Sequence, residues 1–415
     1  MKRILILLFC ALPILVNGQH PELLTPELTK LPAINIRQIL LSSSAALTEE
    51  SGQVQFLDSV IHVAASGRNS RKTFEHDIKG NALLQTDFVW DRQTGQWREN
   101  ALYEVAYNHQ NNPLLISSYL WNNQTNDWTN HQKKETSYHT NGNPVLSVDY
   151  VWDETVNNWI ASSKHQIMYD INGYPVVETQ WIWNDEDNVW EEEWHRETSY
   201  DWIGKLTLEI HSEWDTQTNS RINSKKRHIT YSFRQYVVMD HFLWDNPSKA
   251  WINTQSAKYV RDGKNNQTLF EVSDWNAQTN EWVNKERYDL TFKPNGSVTS
   301  AEGFQWDDSV NSWKLFRKYD YMYDARGNQI SIESYGWNNQ DENWRGFFKT
   351  TYAFDAHDRK TQEVHYDWDN VRKIWINGIK NDFSYTQSGH LQANLYAEWE
   401  DNTWHTNSVE TYYYK

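Results

Sequence analysis

The 415-residue sequence has one cysteine, nine prolines and four methionines. No apolar run beyond residue 18 is long enough to cross a membrane as a helix. Cys10 sits inside the apolar stretch 4–16, which follows Lys2 and Arg3 and precedes the small-residue site Val16-Asn17-Gly18. That order is the pattern of a secretory signal peptide over residues 1–18, with Gln19 as the expected mature N-terminus and a secreted or extracytoplasmic destination. Cleavage would leave no thiol, which excludes disulfides, Cys-ligated metals and Cys nucleophiles in the exported chain. Positive charge is also short: 39 basic against 55 acidic residues give a net charge of −16. Such a balance argues against nucleic-acid phosphate or an anionic membrane as the main partner. Aromatics are abundant instead. With 24 Trp and 23 Tyr the chain carries ample apolar surface to bury, so disorder is excluded for most of its length.

The Trp residues are periodic. Trp90, Trp121, Trp152, Trp183, Trp214, Trp244, Trp275, Trp306, Trp337, Trp368 and Trp399 follow one another at 31 residues, with a single step of 30 near Arg234-Gln235. A second Trp stands seven positions after most of them, for example Trp97, Trp128, Trp159 and Trp190; Arg221 replaces it once, and Trp404 follows Trp399 by five. A third column, Tyr107, Tyr138, Tyr169, Tyr200, Tyr231, Phe292, Tyr323, Phe354 and Tyr385, precedes the first Trp by thirteen or fourteen residues. Polar turns separate the columns, such as Asp91-Arg92-Gln93-Thr94-Gly95-Gln96 between two Trp and Tyr169-Asp170-Ile171-Asn172-Gly173 after a Tyr. Each unit therefore reads as strand, polar turn, strand, Gly/Asn turn, repeated about eleven times from residue 76.

Alternation by twos assigns the faces. It predicts an aromatic core face carrying both Trp columns and the Tyr column. The opposite, solvated face is predicted to hold a basic column of Lys133, Lys164, His195, Lys226, Arg287, Lys318, Lys349 and Lys380. The expected fold is all-β: tandem 31-residue antiparallel hairpins in a continuous twisted or spiralling, solenoid-like sheet over residues 52–415, preceded by a partly disordered leader at 19–51. A membrane barrel of 22 strands fits the count, but Lys and Glu fill the face that lipid would touch.

The Tyr-Asp-x-x-Gly-Asn turn, as in 323–328, resembles the YD repeats of rearrangement-hotspot-type bacterial surface proteins, and the Trp-Asp/Asn…Trp hairpins resemble tandem repeats of secreted Bacteroidetes proteins. The resemblance covers about residues 52–415. It implies a spiralling sheet of hairpins displayed outside the cytoplasm.

Chemistry is hard to find in so uniform an array. There is no G-x-S-x-G elbow, no H-E-x-x-H pair and no Gly-rich phosphate loop, so no catalytic, cofactor-binding or metal residue is expected and the chain reads as a non-enzyme. Asn184-Asp185-Glu186-Asp187-Asn188 alternates oxygens as a calcium loop would, without the Gly and bidentate Glu such a loop needs. The clearest departure from the repeat is in the fourth unit. Trp202 and Ile203 occupy a turn tip that is Ile171 or Ala325 elsewhere, and Trp194 lies outside both Trp columns but has the parity of the core face. These three are the candidate contacts for a partner. The function expected is an exported, non-catalytic β-repeat scaffold that binds a protein or glycan at the cell surface. The alternative is a carbohydrate-binding protein that uses exposed Trp and Tyr as platforms.

Overall fold

A computed structural model describes residues 55–232 and 236–415. The expected signal peptide, the expected leader and the shortened turn at Arg234-Gln235 lie outside the described residues.

Twenty-four antiparallel strands, β1 to β24 in chain order, form one meander in which each strand pairs with its chain neighbours. Strands of ten residues, such as β7 (Pro144–Asp153), alternate with strands of twelve, such as β8 (Asn158–Tyr169). The sheet does not spiral open. β1 (Leu57–Ala64) pairs along its length with β24 (Thr403–Tyr414), so the sheet is a closed barrel. Lys415 Nζ lies 2.8 Å from Asp58 Oδ1, and the Phe56 and Lys415 backbones exchange hydrogen bonds of 2.9 and 3.0 Å across the seam. Closure corrects the solenoid expectation. The reason is physical: an open array leaves two rows of unpaired N–H and C=O groups, and here the first and last strands satisfy each other. The first two strands also belong to the wall, as a shorter hairpin preceding the eleven Trp hairpins.

The Trp pairs close the hairpins as the spacing predicts. In ten of the eleven the two rings meet edge to face, with centroids 4.9–5.2 Å apart and interplanar angles of 68–76°. Such a pair contributes about 0.5–1.5 kcal/mol beyond the area it buries. It matters because the hairpin ends stand apart. Between β6 (Asp127–Tyr138) and β7 the ladder stops at Gln132↔Val151, and residues 127–130 and 152–153 pair only within their own hairpins. Ten of the eleven turns use one device. The residue five after the first Trp has positive φ, and it is Asn in six hairpins and Gly in one, the residues that tolerate this conformation best. It is Lys249, Glu342 or Lys373 in the other three, and the shorter last turn places positive φ at Asp401 and Asn402 instead.

The faces differ from the alternation count. In every Trp hairpin one residue, three positions after the second Trp or after Arg221, has no cross-strand partner: Asn100, His131, Ser162, Glu193, Ser224, Thr254, Lys285, Phe316, Phe347, Gly378 and Asn407. Each is a β-bulge, and one extra residue sends every later side chain to the other face. The basic column therefore shares the Trp face. Lys133 Nζ lies 4.4 Å from the Tyr150 ring centroid, Lys164 lies 4.2 Å from Trp181 and 4.7 Å from Trp190, and Lys226 lies 4.0 Å from Phe242. Burial lowers the pKa of Lys164 and Lys226. The Tyr column moves to the reverse face. Its hydroxyls donate to carbonyls 25 residues back, Tyr107 to Ala82 at 3.0 Å, Tyr138 to Pro113 at 2.8 Å and Tyr385 to Lys360 at 2.7 Å.

There is no separate aromatic core with a charged outside. The reverse face carries partly buried charged pairs too, Glu178–Arg196 and Glu209–Arg227. The hydrogen bonds, ion pairs and ring contacts among the described residues join strands no more than three apart around the ring. A barrel this wide exceeds what its side chains can fill.

Candidate functional site

The turns at the Tyr ends of the strands share a backbone. Asp201 Oδ1 accepts hydrogen bonds from the Ile203 and Lys205 amides at 3.0 and 2.9 Å, and Asp170 does the same for Asn172 and Tyr174. Gly204 has φ of +84° and closes its turn through a 3.0 Å bond to the Asp201 carbonyl. The same glycine leaves room for a neighbour. A Cβ there would lie 2.0 Å from the Tyr174 hydroxyl, and Tyr174 stacks on Tyr200 with centroids 4.9 Å apart. A tyrosine from one hairpin thus shores up the Trp202 turn of the next.

This frame pushes its tip residues outward. Trp202 is 94% exposed, Ile203 49%, and Ile171 on the adjacent turn 100%. Successive turns at one end are two strand spacings apart, about 10 Å, so Ile171, Trp202 and Ile203 share one stretch of rim. Trp202 and Ile203 are the tip residues expected from the sequence, and Ile171 joins them from a position that reads as an ordinary turn. Its signal was adjacency, an apolar tip exactly one repeat upstream of Trp202.

Trp194 is elsewhere. It lies mid-way along β10 (Val189–Tyr200), six residues or about 20 Å of strand from the rim turn. The bulge at Glu193 puts it on the reverse face, opposite Gln180 of β9 (Pro175–Asn184) and Glu213 of β11 (Leu206–Asp215). The core-face parity expected from the sequence is therefore wrong for this residue. It is half-buried, and its ring lies 5.7 Å from that of His165. Around it the repeat changes character. Glu178, Arg196, Glu209, Arg227 and His165 fill reverse-face positions where other units have residues such as Ile116, Ala257, Ala301 or Tyr319, and His211 joins them from a column that also holds His241 and His365. Burial raises the pKa of Glu209, but hydrogen bonding from His211 and the charge of Arg227 outweigh it and bring the group to about 2. Glu178 is lowered as well, burial being outweighed by His165 and Arg196.

In the calcium-like turn at 184–188 the Asn184 side chain is engaged in the turn itself. Asn184 Oδ1 accepts from the Glu186 amide at 2.9 Å, and Asn184 Nδ2 donates to Glu191 at 2.6 Å. Turn formation accounts for its composition.

No family model matches the chain, and no curated protein matches it. Solved structures similar to it include a Bacteroides fragilis protein of unknown function, at 16% identity over 30% of this chain and 90% of that one, TM-score 0.27. A Photorhabdus luminescens Tc holotoxin pore matches at 10% identity over 82% of this chain, TM-score 0.24, and this chain spans 22% of the toxin chain. A DUF3836 family protein from Bacteroides vulgatus matches at 21% identity over 22% of this chain and 90% of that one, TM-score 0.19. At TM-scores this low none of these likenesses bears on function.

Proposed function

We propose that the protein is an exported, non-catalytic β-repeat barrel that binds another macromolecule through the rim carrying Ile171, Trp202 and Ile203, and that it is related to YD-repeat surface proteins. The observation that carries the reading is the near-complete exposure of Trp202 on a turn rigidified by Asp201, Gly204 and Tyr174. A large aromatic held in water by a stiff turn is the form of an interface anchor. Charge supports the choice of rim. The eleven Trp-end turns carry seventeen acidic and four basic residues, whereas the described turns at the Tyr end carry seven and six. The Trp-end rim repels anionic surfaces, and the Tyr-end rim does not.

Two measurements test this. N-terminal sequencing of protein recovered from the culture medium or the cell envelope is expected to begin at Gln19. Binding of the purified chain to arrayed extracellular proteins and glycans is expected to fall at least tenfold with Trp202→Ala; absence of any target on both arrays would defeat the reading. The columnar Trp residues are poor sugar platforms, because they are packed edge to face in pairs.

A further inference from the structure

The eleven repeats act as an internal control, and against it one site stands out. Twenty-two of the 24 Trp lie on the Trp face, Trp202 is on a turn, and Trp194 is the one Trp of the reverse face. The corresponding position in the other ten units holds Ala101, Gln132, Ser163, Lys225, Gln255, Glu286, Arg317, Phe348, Ile379 or Ser408, so one other aromatic, a Phe, occurs there and no other indole.

The groups on either side of Trp194 are uncommitted. Gln180 and Glu213 are its direct cross-strand partners on the two neighbouring strands, roughly 5 Å away at Cβ. Neither side chain has a hydrogen bond or ion pair to any described residue, and Glu213 is exposed. The charged groups one row further along the strands are by contrast tied to each other, Glu178 to Arg196 and His165, and Glu209 to Arg227 and His211. One indole, flanked by a free amide and a free carboxylate, therefore sits on a base that is already cross-linked.

We infer that Trp194, Gln180 and Glu213 form a carbohydrate subsite that takes one neutral or amino-sugar pyranose of an oligosaccharide. The apolar C–H face of a pyranose matches an indole in size, and an aromatic ring attracts it through its negative face. Ring hydroxyls need donors and acceptors at the platform's edge, which Gln180 supplies as both and Glu213 as acceptor. Glu213 also selects against acidic sugars and suits an amine. The subsite is distinct from the rim, about 20 Å away, and stands or falls independently of the rim reading.

The test is titration of the full chain with a panel of defined oligosaccharides built from glucose, mannose, galactose, N-acetylglucosamine, glucosamine and glucuronic acid. Binding of at least one neutral or amino sugar is expected. Trp194→Ala should weaken it at least tenfold, Trp194→Phe less, and Gln180→Ala and Glu213→Gln several-fold each, while Trp202→Ala leaves it unchanged. Because the alanine variant removes a large ring, circular dichroism checks its fold, and the other three variants decide the matter if it fails to fold. No binding by the parent chain to any panel member, a preference for glucuronic acid, or undiminished binding by Gln180→Ala, Glu213→Gln and Trp194→Phe together would overturn the inference. Loss of sugar binding with rim binding intact, or the reverse, separates the two sites.

Discussion

Arg221 and Glu192 form a bidentate ion pair, with Arg221 Nε and Nη2 both 2.7 Å from the carboxylate oxygens. This is the one hairpin whose second Trp is missing, and three positions change together there. In five hairpins a Lys of the preceding hairpin lies over a ring of the next, as Lys164 does over Trp181 and Trp190. At the Arg221 hairpin the slots for those rings hold Ser212 and Arg221, and the basic column offers His195 in place of Lys. A Lys facing Arg221 would repel it. The anion Glu192 answers Arg221 instead, and His195 bonds to Thr179 at 2.9 Å.

That arrangement predicts a double-mutant result. Arg221→Ala should cost about 2 kcal/mol, because it leaves the largely buried Glu192 without a counter-charge. Adding Glu192→Ala should recover about half of the loss. Urea unfolding of the two single variants and the double variant measures it; strictly additive losses would mean that the pair is unimportant.

Stability should also fall in acid by a defined route. Glu209 titrates at about 2 in the folded chain against 4.5 for an ordinary glutamate, so its contribution is complete above pH 4.5 and is lost as pH falls toward 2. The shift corresponds to at most about 3 kcal/mol. Glu178, lowered in the same way, adds to the slope. Thermal unfolding between pH 5 and 2 should show a clearly shallower decline for Glu209→Gln than for the parent chain. Parallel curves would show that the pair with Arg227 and His211 contributes nothing.

How much of this was legible in the sequence depended on the range of the interaction. The Trp spacing fixed hairpin count, turn position and the Trp97–Trp90 type of pairing, because a hairpin is local and its turn sets its register. In every unit the faces were misread from the bulge residue (Asn100 in the first) to the Tyr column. A bulge residue has no signature of its own: the eleven positions hold Asn, His, Ser, Glu, Thr, Lys, Phe and Gly. Parity counted through it placed Lys164 and Trp194 on the wrong faces. Closure was invisible for another reason, since it depends on the partnership of Leu57–Ala64 with Thr403–Tyr414, more than 340 residues away, and on twist accumulated over the whole sheet. Trp202 could be found because it broke the pattern, whereas Gln180 and Glu213 became visible only once Trp194 was on its correct face.

The bulge can be tested directly. Deleting Ser162 should send every residue from Ser163 to Tyr169 to the other face, taking Lys164 off Trp181 and the Tyr169 hydroxyl off the Pro144 carbonyl, 2.8 Å away. Ser162→Ala keeps the register and loses only one 3.1 Å hydrogen bond to the Asp149 carbonyl, costing about 1 kcal/mol. The deletion should cost several times more in denaturant unfolding. Equal losses would show that the sheet slides to absorb the missing residue and that the bulge does not set the faces.

The seam yields the last prediction. β24 is held by β23 (Leu391–Glu400) on one side and β1 on the other, and removing residues 403–415 exposes one edge of each. The new edges are long and carry Val60, Leu395 and Tyr396 among their side chains, with Ile61 and Val63 alternating on β1. Such edges recruit strands from other chains. Light scattering after size-exclusion chromatography should therefore find the truncated chain in dimers and larger species at concentrations where the parent shows no such species. The single substitution Lys415→Ala, which removes only the exposed salt bridge to Asp58 and leaves the backbone seam intact, should not change the association state. If truncation left the association state unchanged, closure of the ring would not be what keeps the sheet edges from pairing with other copies.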